Sequence, residues 1–328
     1  MTITNAKDRN IGLDVVRAVA ILMVLICHWG SSIAWWFGLR LPILVMQTGF
    51  FGVELFFALS GFLIGRLLLD LVERDVSFGG WRRFMLRRWL RTLPLYGVCL
   101  LGLAVSWHPA GELSHYLFNY GTLTQNLLWP MPADNWFGVT WSLTVEEWFY
   151  LLFSAVLLGS VAVFGDVKRC VWLTLAVFII VPTVLRWHVP DTAEWDASLR
   201  RVALLRLDAI AYGVAVARVW HAKSKLTRYP WVLFAIGSIG IVELWFQPIP
   251  LSFVPRHADR VLSLTAAPLA FALCIPAATR LKRLPVALAW PIRWLSIRSY
   301  ALYLVHLPIL DAIGWWYLRH GLPGRWCV

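Results

Sequence analysis

Charged residues are scarce in this chain. Asp, Glu, Lys and Arg make up 15% of its 328 residues, against about 25% in a soluble domain. The hydrophobic share is 59%, and 21 residues are Trp; mean hydropathy is +0.67. That balance excludes an ordinary soluble domain and reads as an integral membrane protein with many spans. Cysteine is sparse as well. The five (27, 99, 170, 274, 327) are scattered, with no CxxC and no Cys/His spacing fit for zinc. Neither a disulfide framework nor a metal site is expected, and the cysteines read as small apolar residues of a membrane core. No small-residue cleavage site follows the first apolar run, which therefore reads as a retained first span. Internal repeats and low-complexity linkers are also missing, so one membrane-embedded domain is expected over residues 1–328.

Acidic residues are outnumbered, 18 to 30, for a net charge of +12. An excess of that size suits nucleic acid, but its distribution argues for topology instead. Hydropathy places spans at 12–30, 50–71, 93–107, 141–164, 170–187, 201–220, 230–247, 260–279 and 296–318. With a cytoplasmic N-terminus, twenty Lys and Arg fall in inner segments and eight in outer ones, while Arg17 and Arg206 lie within spans. The inside excess sets this orientation. The fold expected is an all-α polytopic transmembrane bundle of about nine helices.

What the chain does carry is a short set of polar residues inside apolar runs. Arg17 and His28 share the first span, eleven residues apart. At 3.6 residues per turn both return to nearly the same face, roughly 16 Å apart. Charged and titratable side chains at membrane depth are costly unless they face a polar interior, which makes the pair a functional-site hypothesis. A snorkelling Arg near one helix end and a His capping the other is the bland alternative. Asp14 stands one turn before Arg17 and is placed to pair with it. Imidazole is the commonest general base for a hydroxyl.

Glu54 lies in Gly49-Phe-Phe-Gly-Val-Glu-Leu-Phe-Phe-Ala-Leu-Ser-Gly61, where a lone carboxylate is either protonated or paired with a cation. A supporting role is expected for it, and close helix packing for the glycines around it. Arg82, Arg83, Arg87, Arg88 and Arg91 fall within ten positions of an amphipathic tract, 74–91, expected to lie along the inner interface. Pro94 follows as the third span begins. Arginine binds phosphate bidentately and keeps its charge, so this density favours a phosphorylated ligand over lipid contact alone. Residues 113–140 are too polar and too broken by Gly and Pro to span. They read as an outer loop with an interfacial or re-entrant helix near 113–128.

Trp141-Ser-Leu-Thr-Val-Glu-Glu-Trp-Phe-Tyr150 opens a span with two adjacent carboxylates. Neighbours on a helix point about 100° apart, so one of Glu146 and Glu147 faces the same interior as His28. The sequence leaves open which one. Arg206, Asp208, Ser299, Tyr300, Tyr303 and His306 are further intramembrane polar groups, and His306 reads as a satisfied bundle histidine.

Taken in order, five stretches resemble the acyltransferase-3 family. They are Arg17 with His28, Gly-Val-Glu-Leu-Phe-Phe-Ala-Leu-Ser-Gly-Phe-Leu-Ile64, the arginine tract ending Arg-Thr-Leu-Pro-Leu-Tyr96, the Trp141–Tyr150 segment, and Ser-Tyr-Ala-Leu-Tyr-Leu-Val-His-Leu-Pro308. The likeness runs from about residue 11 to 318. It implies a membrane enzyme that moves an acyl group, commonly acetyl, from cytosolic acyl-CoA to a hydroxyl. The acceptor would be a glycan, a glycolipid or a small molecule, and the setting a bacterial inner membrane in contact with its lipids. It further implies His28 as catalytic base, Arg17 as its motif partner, Glu146 or Glu147 as support, and Arg82 to Arg91 as contacts for the CoA phosphates.

Three departures stand out. Larger relatives carry an extracytoplasmic hydrolase-like domain that is not in this sequence, so transfer is expected within the membrane domain. Members usually continue through one more apolar helix, whereas this chain stops at Val328. The family's Glu-Glu-Gln-Phe-Tyr reads Glu-Glu-Trp-Phe-Tyr here, which removes an amide.

The expected reaction is direct attack of an acceptor hydroxyl, deprotonated by His28, on the thioester. A covalent acyl-enzyme on His28 or a Tyr is the variant within the same class. The rival class is a proton-coupled transporter or flippase using the same polar residues, opposed by the lack of inverted repeats or paired broken helices. A packing-only membrane subunit is the third. Outer loops 31–49, 108–140, 188–200 and 248–260 are aromatic and mixed in charge, suited to a sugar or a macrocycle.

Overall fold

Each of the nine apolar stretches overlaps a helix, because in lipid every backbone N–H and C=O must be satisfied within the segment. A computed structural model of the chain describes residues 10–106, 113–129, 136–222, 224–246 and 256–319, apart from the side chains of Trp35, Lys225, Leu226, Tyr317 and Leu318. Cys327 and part of the outer loop at 108–140 lie outside the described residues.

The helices in chain order are α1 (Ile11–Trp36), α2 (Ile43–Met46), α3 (Thr48–Arg74), α4 (Phe78–Ser106), α5 (Leu113–Gly121), α6 (Trp141–Phe164), α7 (Val167–Trp187), α8 (Leu207–His221), α9 (Pro230–Phe246), α10 (His257–Ala278) and α11 (Val286–Arg319). No strand occurs among the described residues. Six segments are long and apolar enough to cross a membrane: α1, α2 with α3, α4, α6 with the turn before it, α7 and α10. The fold is an all-α polytopic membrane bundle.

Helix α1 shows how the sequence divides its faces. Val19, Leu22, Ile26 and Ile33 are exposed apolar residues on one stripe. Arg17 and His28 lie on the opposite side, as helical periodicity requires. Helix α3 is buried almost all round and forms the centre, packed by α1, α8 and α10. Its approach to α8 depends on glycine. A Cβ at Gly61 would stand 2.0 Å from the Ile210 carbonyl oxygen, and one at Gly213 would stand 2.2 Å from that of Ala58. Only hydrogen fits there, so the two backbones meet directly.

Four sequence expectations need correction. The arginine tract is continuous with the span expected from 93: from Phe78 on it forms the first turns of one 29-residue helix, α4, that runs through Pro94. Proline is tolerated inside membrane helices, where neighbours re-satisfy the freed carbonyl. The helix expected near 113–128 ends at Gly121. Beyond it the chain is irregular and enters the protein: Gln125 Nε2 donates to Thr140 and Thr144, and Asn126 Nδ2 to the carbonyls of Trp141 and Arg201. The span expected from 201 starts instead at Leu207, after a π turn at Asp196–Arg200 and a 3-10 turn at Ala203–Leu205. Ala203 and Leu204 donate to the carbonyls of Asn126 and Leu127, a pairing between loops that helix would forbid. Finally, α11 begins at Val286, ten residues before the expected span, and includes Pro291 and Pro308.

Candidate active site

Five helices converge on a cavity of about 140 Å³. Arg17 enters from α1, Phe56 and Ser60 from α3, Arg88, Arg91 and Thr92 from α4, Ser142, Glu146 and Tyr150 from α6, and Ser299, Tyr300 and Tyr303 from α11. The wall is mixed: Val53, Leu59, Leu63 and Leu304 supply apolar surface between the charged and hydroxyl groups.

Arg17 is held as expected, and by one residue more. Its Nη1 is 3.5 Å from Asp14 Oδ1 and donates to Ser296 Oγ at 3.1 Å, while Ser296 donates to Asp14 at 2.6 Å. The serine comes from α11, 279 positions away. Of the five tract arginines, Arg88 and Arg91 line the cavity. Arg82, Arg83 and Arg87 are exposed, with Arg83 paired to Asp75 at 2.5 Å. The adjacent carboxylates diverge as the helical period demands. Glu146 faces the cavity, beside the hydroxyls of Ser60 and Tyr150 (themselves closely hydrogen-bonded) and within electrostatic reach of Arg91 and Arg88. Glu147 turns to α4, where its Oε1 accepts from Thr92 at 2.8 Å. The indole of Trp148, at the position of the missing amide, donates to the Leu123 carbonyl at 2.8 Å.

His28 does not line this cavity. It stands behind the far end, with Nδ1 at 3.0 Å from Nε2 of His306. The His306 Nδ1 donates in turn to the Tyr303 carbonyl at 2.7 Å. Tyr303 closes the cavity there, its hydroxyl 2.6 Å from Ser142 Oγ. The reading of His306 as a satisfied histidine is right about its hydrogen bonds and misses its partner. No spacing rule links residues 278 positions apart.

Arg200 is a second residue that sequence reasoning passed over. From the π turn its guanidinium stacks on Trp141 at 4.8 Å and Phe50 at 5.5 Å and pairs with Asp196 at 2.6 Å. It is also within electrostatic reach of His28 and Tyr303. Burial alone would raise the Asp196 carboxyl, but the Arg200 and Arg201 guanidiniums outweigh it and hold that acid below the usual range. Deeper in the bundle two ion pairs are sealed from solvent: Glu54 with Arg206, and Asp208 with Arg186. Glu54 thus has the cation its burial calls for. No group of three or more His, Cys, Asp or Glu able to hold a metal occurs among the described residues.

No solved structure matches this chain. Curated relatives do. The chain is 28% identical over 334 residues to YrhL of Bacillus subtilis, a candidate peptidoglycan O-acetyltransferase, covering 91% of this chain and 48% of the relative. It is 27% identical over 331 residues to the peptidoglycan O-acetyltransferase OatA of Listeria monocytogenes (91% and 49%). To the O-acetyltransferase OatA of Staphylococcus aureus it is 25% identical over 341 residues (95% and 52%). The chain therefore spans about half the length of the curated relatives it matches. The family model described as an acyltransferase domain matches residues 10–328, and the chain belongs to the acyltransferase-3 family.

Proposed function

We propose that the protein is a multi-pass O-acetyltransferase of a bacterial plasma membrane that moves acetyl from cytosolic acetyl-CoA to a hydroxyl of a cell-envelope glycan. One observation carries the reading: a single cavity has Arg17, Arg88 and Arg91 on its wall and ends at Ser142 and Tyr303, with the His28–His306 pair directly behind. Guanidiniums suit the phosphates of the donor, and the apolar stretch suits its pantetheine arm. The inside excess of basic residues supports a cytosolic N-terminus, with the arginine end of α4 on the same side. The glycan class of the acceptor follows the relatives' names.

The chemistry balances with groups already in place. The acceptor oxygen bonds to the thioester carbonyl carbon, the carbon–sulfur bond breaks, and the hydroxyl proton passes to His28 and then to the departing sulfur. General base catalysis of this kind contributes about 10²–10⁴ in rate. Glu146 supports the site by balancing the charge of Arg88 and Arg91. The test is CoA release from acetyl-CoA by purified protein in detergent, with cell-envelope glycans as acceptors. Acceptor-stimulated release is expected, and it should vanish in a folded His28→Ala protein. Undiminished turnover in that variant would overturn the assignment of the base.

A further inference from the structure

Hydrogen-bond donors and acceptors along the line Tyr303, His306, His28 follow from the chemistry of the carbonyl at one end. A carbonyl oxygen only accepts, so the 2.7 Å contact to Tyr303 O requires a hydrogen on His306 Nδ1. His306 is 2% exposed inside the bundle, where a ring held by a carbonyl and another imidazole rather than a carboxylate is neutral. A neutral imidazole has one donor nitrogen and one acceptor, so His306 Nε2 carries the lone pair. The 3.0 Å contact between that nitrogen and His28 Nδ1 then needs a hydrogen on His28 Nδ1. The Val24 carbonyl one turn earlier is also within hydrogen-bond reach of the His28 ring, and the lone pair of a neutral His28 with hydrogen on Nδ1 lies on Nε2.

We infer that His306 is a positioning residue that fixes the tautomer of His28, keeping hydrogen on Nδ1 and the basic lone pair on Nε2. The inference rests on the proposed role of His28 as base. When His28 Nε2 takes the acceptor proton, the ring becomes an imidazolium whose Nδ1–H already points at a lone pair. His306 therefore steadies the charged form as well as orienting the neutral one. The same division of labour, one group holding the tautomer and another doing the chemistry, occurs wherever a histidine base is oriented by an acceptor.

The experiment uses the full chain, labelled with ¹⁵N-histidine and purified in detergent. Nitrogen chemical shifts report which ring nitrogen of His28 bears hydrogen, independently of turnover. In the wild type His28 is expected to be protonated at Nδ1 and bare at Nε2. His306→Leu keeps bulk but removes the acceptor, so the Nε2–H tautomer should appear and kcat should fall about 10–100-fold, with KM for acetyl-CoA unchanged. His306→Gln places a side-chain oxygen near the lost nitrogen and should restore both tautomer and most of kcat. A wild-type His28 carrying hydrogen on Nε2 overturns the inference, as does an unchanged tautomer and kcat in His306→Leu. If His306→Leu does not fold, the wild-type spectrum and His306→Gln still decide. Should His28→Ala turn over normally, the reading of His28 as base fails, while the nitrogen shifts still judge the tautomer on their own.

Discussion

Arg206 Nη2 lies 2.6 and 2.5 Å from the two carboxylate oxygens of Glu54, and neither side chain is exposed to solvent. The same guanidinium donates to the Leu264 carbonyl at 2.8 Å, so one residue at the start of α8 ties that helix to α3 and α10. Arg186 does the same for α7, meeting Asp208 at 2.8 and 2.6 Å and Thr265 at 2.7 Å. The two pairs hold α8 where its glycine crosses α3.

Breaking one pair strands a charge in the bundle. Glu54→Leu leaves Arg206 unpaired and is expected to cost about 3–5 kcal/mol, read as a large drop in thermal unfolding temperature or loss of folded protein on size exclusion. Replacing both partners, Glu54→Leu with Arg206→Met, should recover much of that loss. A wild-type melting curve for the single variant would remove the pair from any account of stability.

Close helix contact makes a second prediction. Gly61→Ala would place a methyl 2.0 Å from a backbone oxygen, and backbone cannot step aside as a flexible side chain does. Overpacking of this kind costs typically about 1–3 kcal/mol. Gly97→Ala in α4 meets nothing within 4 Å and is the control. It should melt at or slightly above the wild-type temperature, because alanine favours helix. Equal melting of the two variants would argue against a tight α3–α8 crossing.

The arginine tract should divide by cavity contact. Arg88→Gln and Arg91→Gln are each expected to raise KM for acetyl-CoA about tenfold or more, the scale of a lost hydrogen bond to a charged group. Arg82→Gln, Arg83→Gln and Arg87→Gln should leave KM near wild type. Steady-state kinetics over a range of acetyl-CoA concentrations settles it, and a uniform rise across all five would favour a diffuse electrostatic role.

Glu146 and Glu147 should behave differently despite being neighbours. Glu146→Gln removes the only carboxylate that the described residues bring to the cavity wall and should lower kcat/KM. Glu147→Gln retains an oxygen that accepts from Thr92 and should stay active. The reverse pattern in acceptor-dependent CoA release would mean that the carboxylate facing α4 is the one that matters.

Asp196 predicts a pH effect on stability. Its carboxyl is held below the ordinary range by Arg200 and Arg201, so the folded state favours its charged form. A depressed folded pKa means that the stabilisation is present above the unfolded value, about 3.9 for Asp, and is lost as pH falls through the lower folded value. Melting temperature should therefore decline on acidification below about pH 4, and Asp196→Asn should flatten that part of the profile. An identical acid slope in the variant would assign the decline to other groups.

Much of this was legible beforehand, for identifiable reasons. Apolar segments announce themselves because lipid admits few polar residues: every expected segment overlaps a helix, and six helical segments are long and apolar enough to cross a membrane. The shared face of Arg17 and His28 follows from the helical period alone, and Asp14 pairs with Arg17 because three residues make nearly one turn. Pro94 misled, since the rule that proline ends a helix is weaker inside a membrane bundle. The polar run at 122–129 was correctly kept out of the spans, but its burial against α6 required partners from two distant parts of the chain, 140–148 and 201–204.

By itself, the sequence determined the all-helical membrane architecture, the family and the set of polar residues from which a site must be built. Those properties are local or short-range: hydropathy over one span, periodicity over a few turns, and motifs within ten or so residues. Only the tertiary structure decided that Glu146 rather than Glu147 faces the cavity, that Arg88 and Arg91 line it while three neighbours do not, and that His306 meets His28. Each depends on how far one helix is rotated and raised against another. That rotation is set by glycine contacts and the Glu54–Arg206 pair, between residues more than a hundred positions apart, which no local pattern encodes.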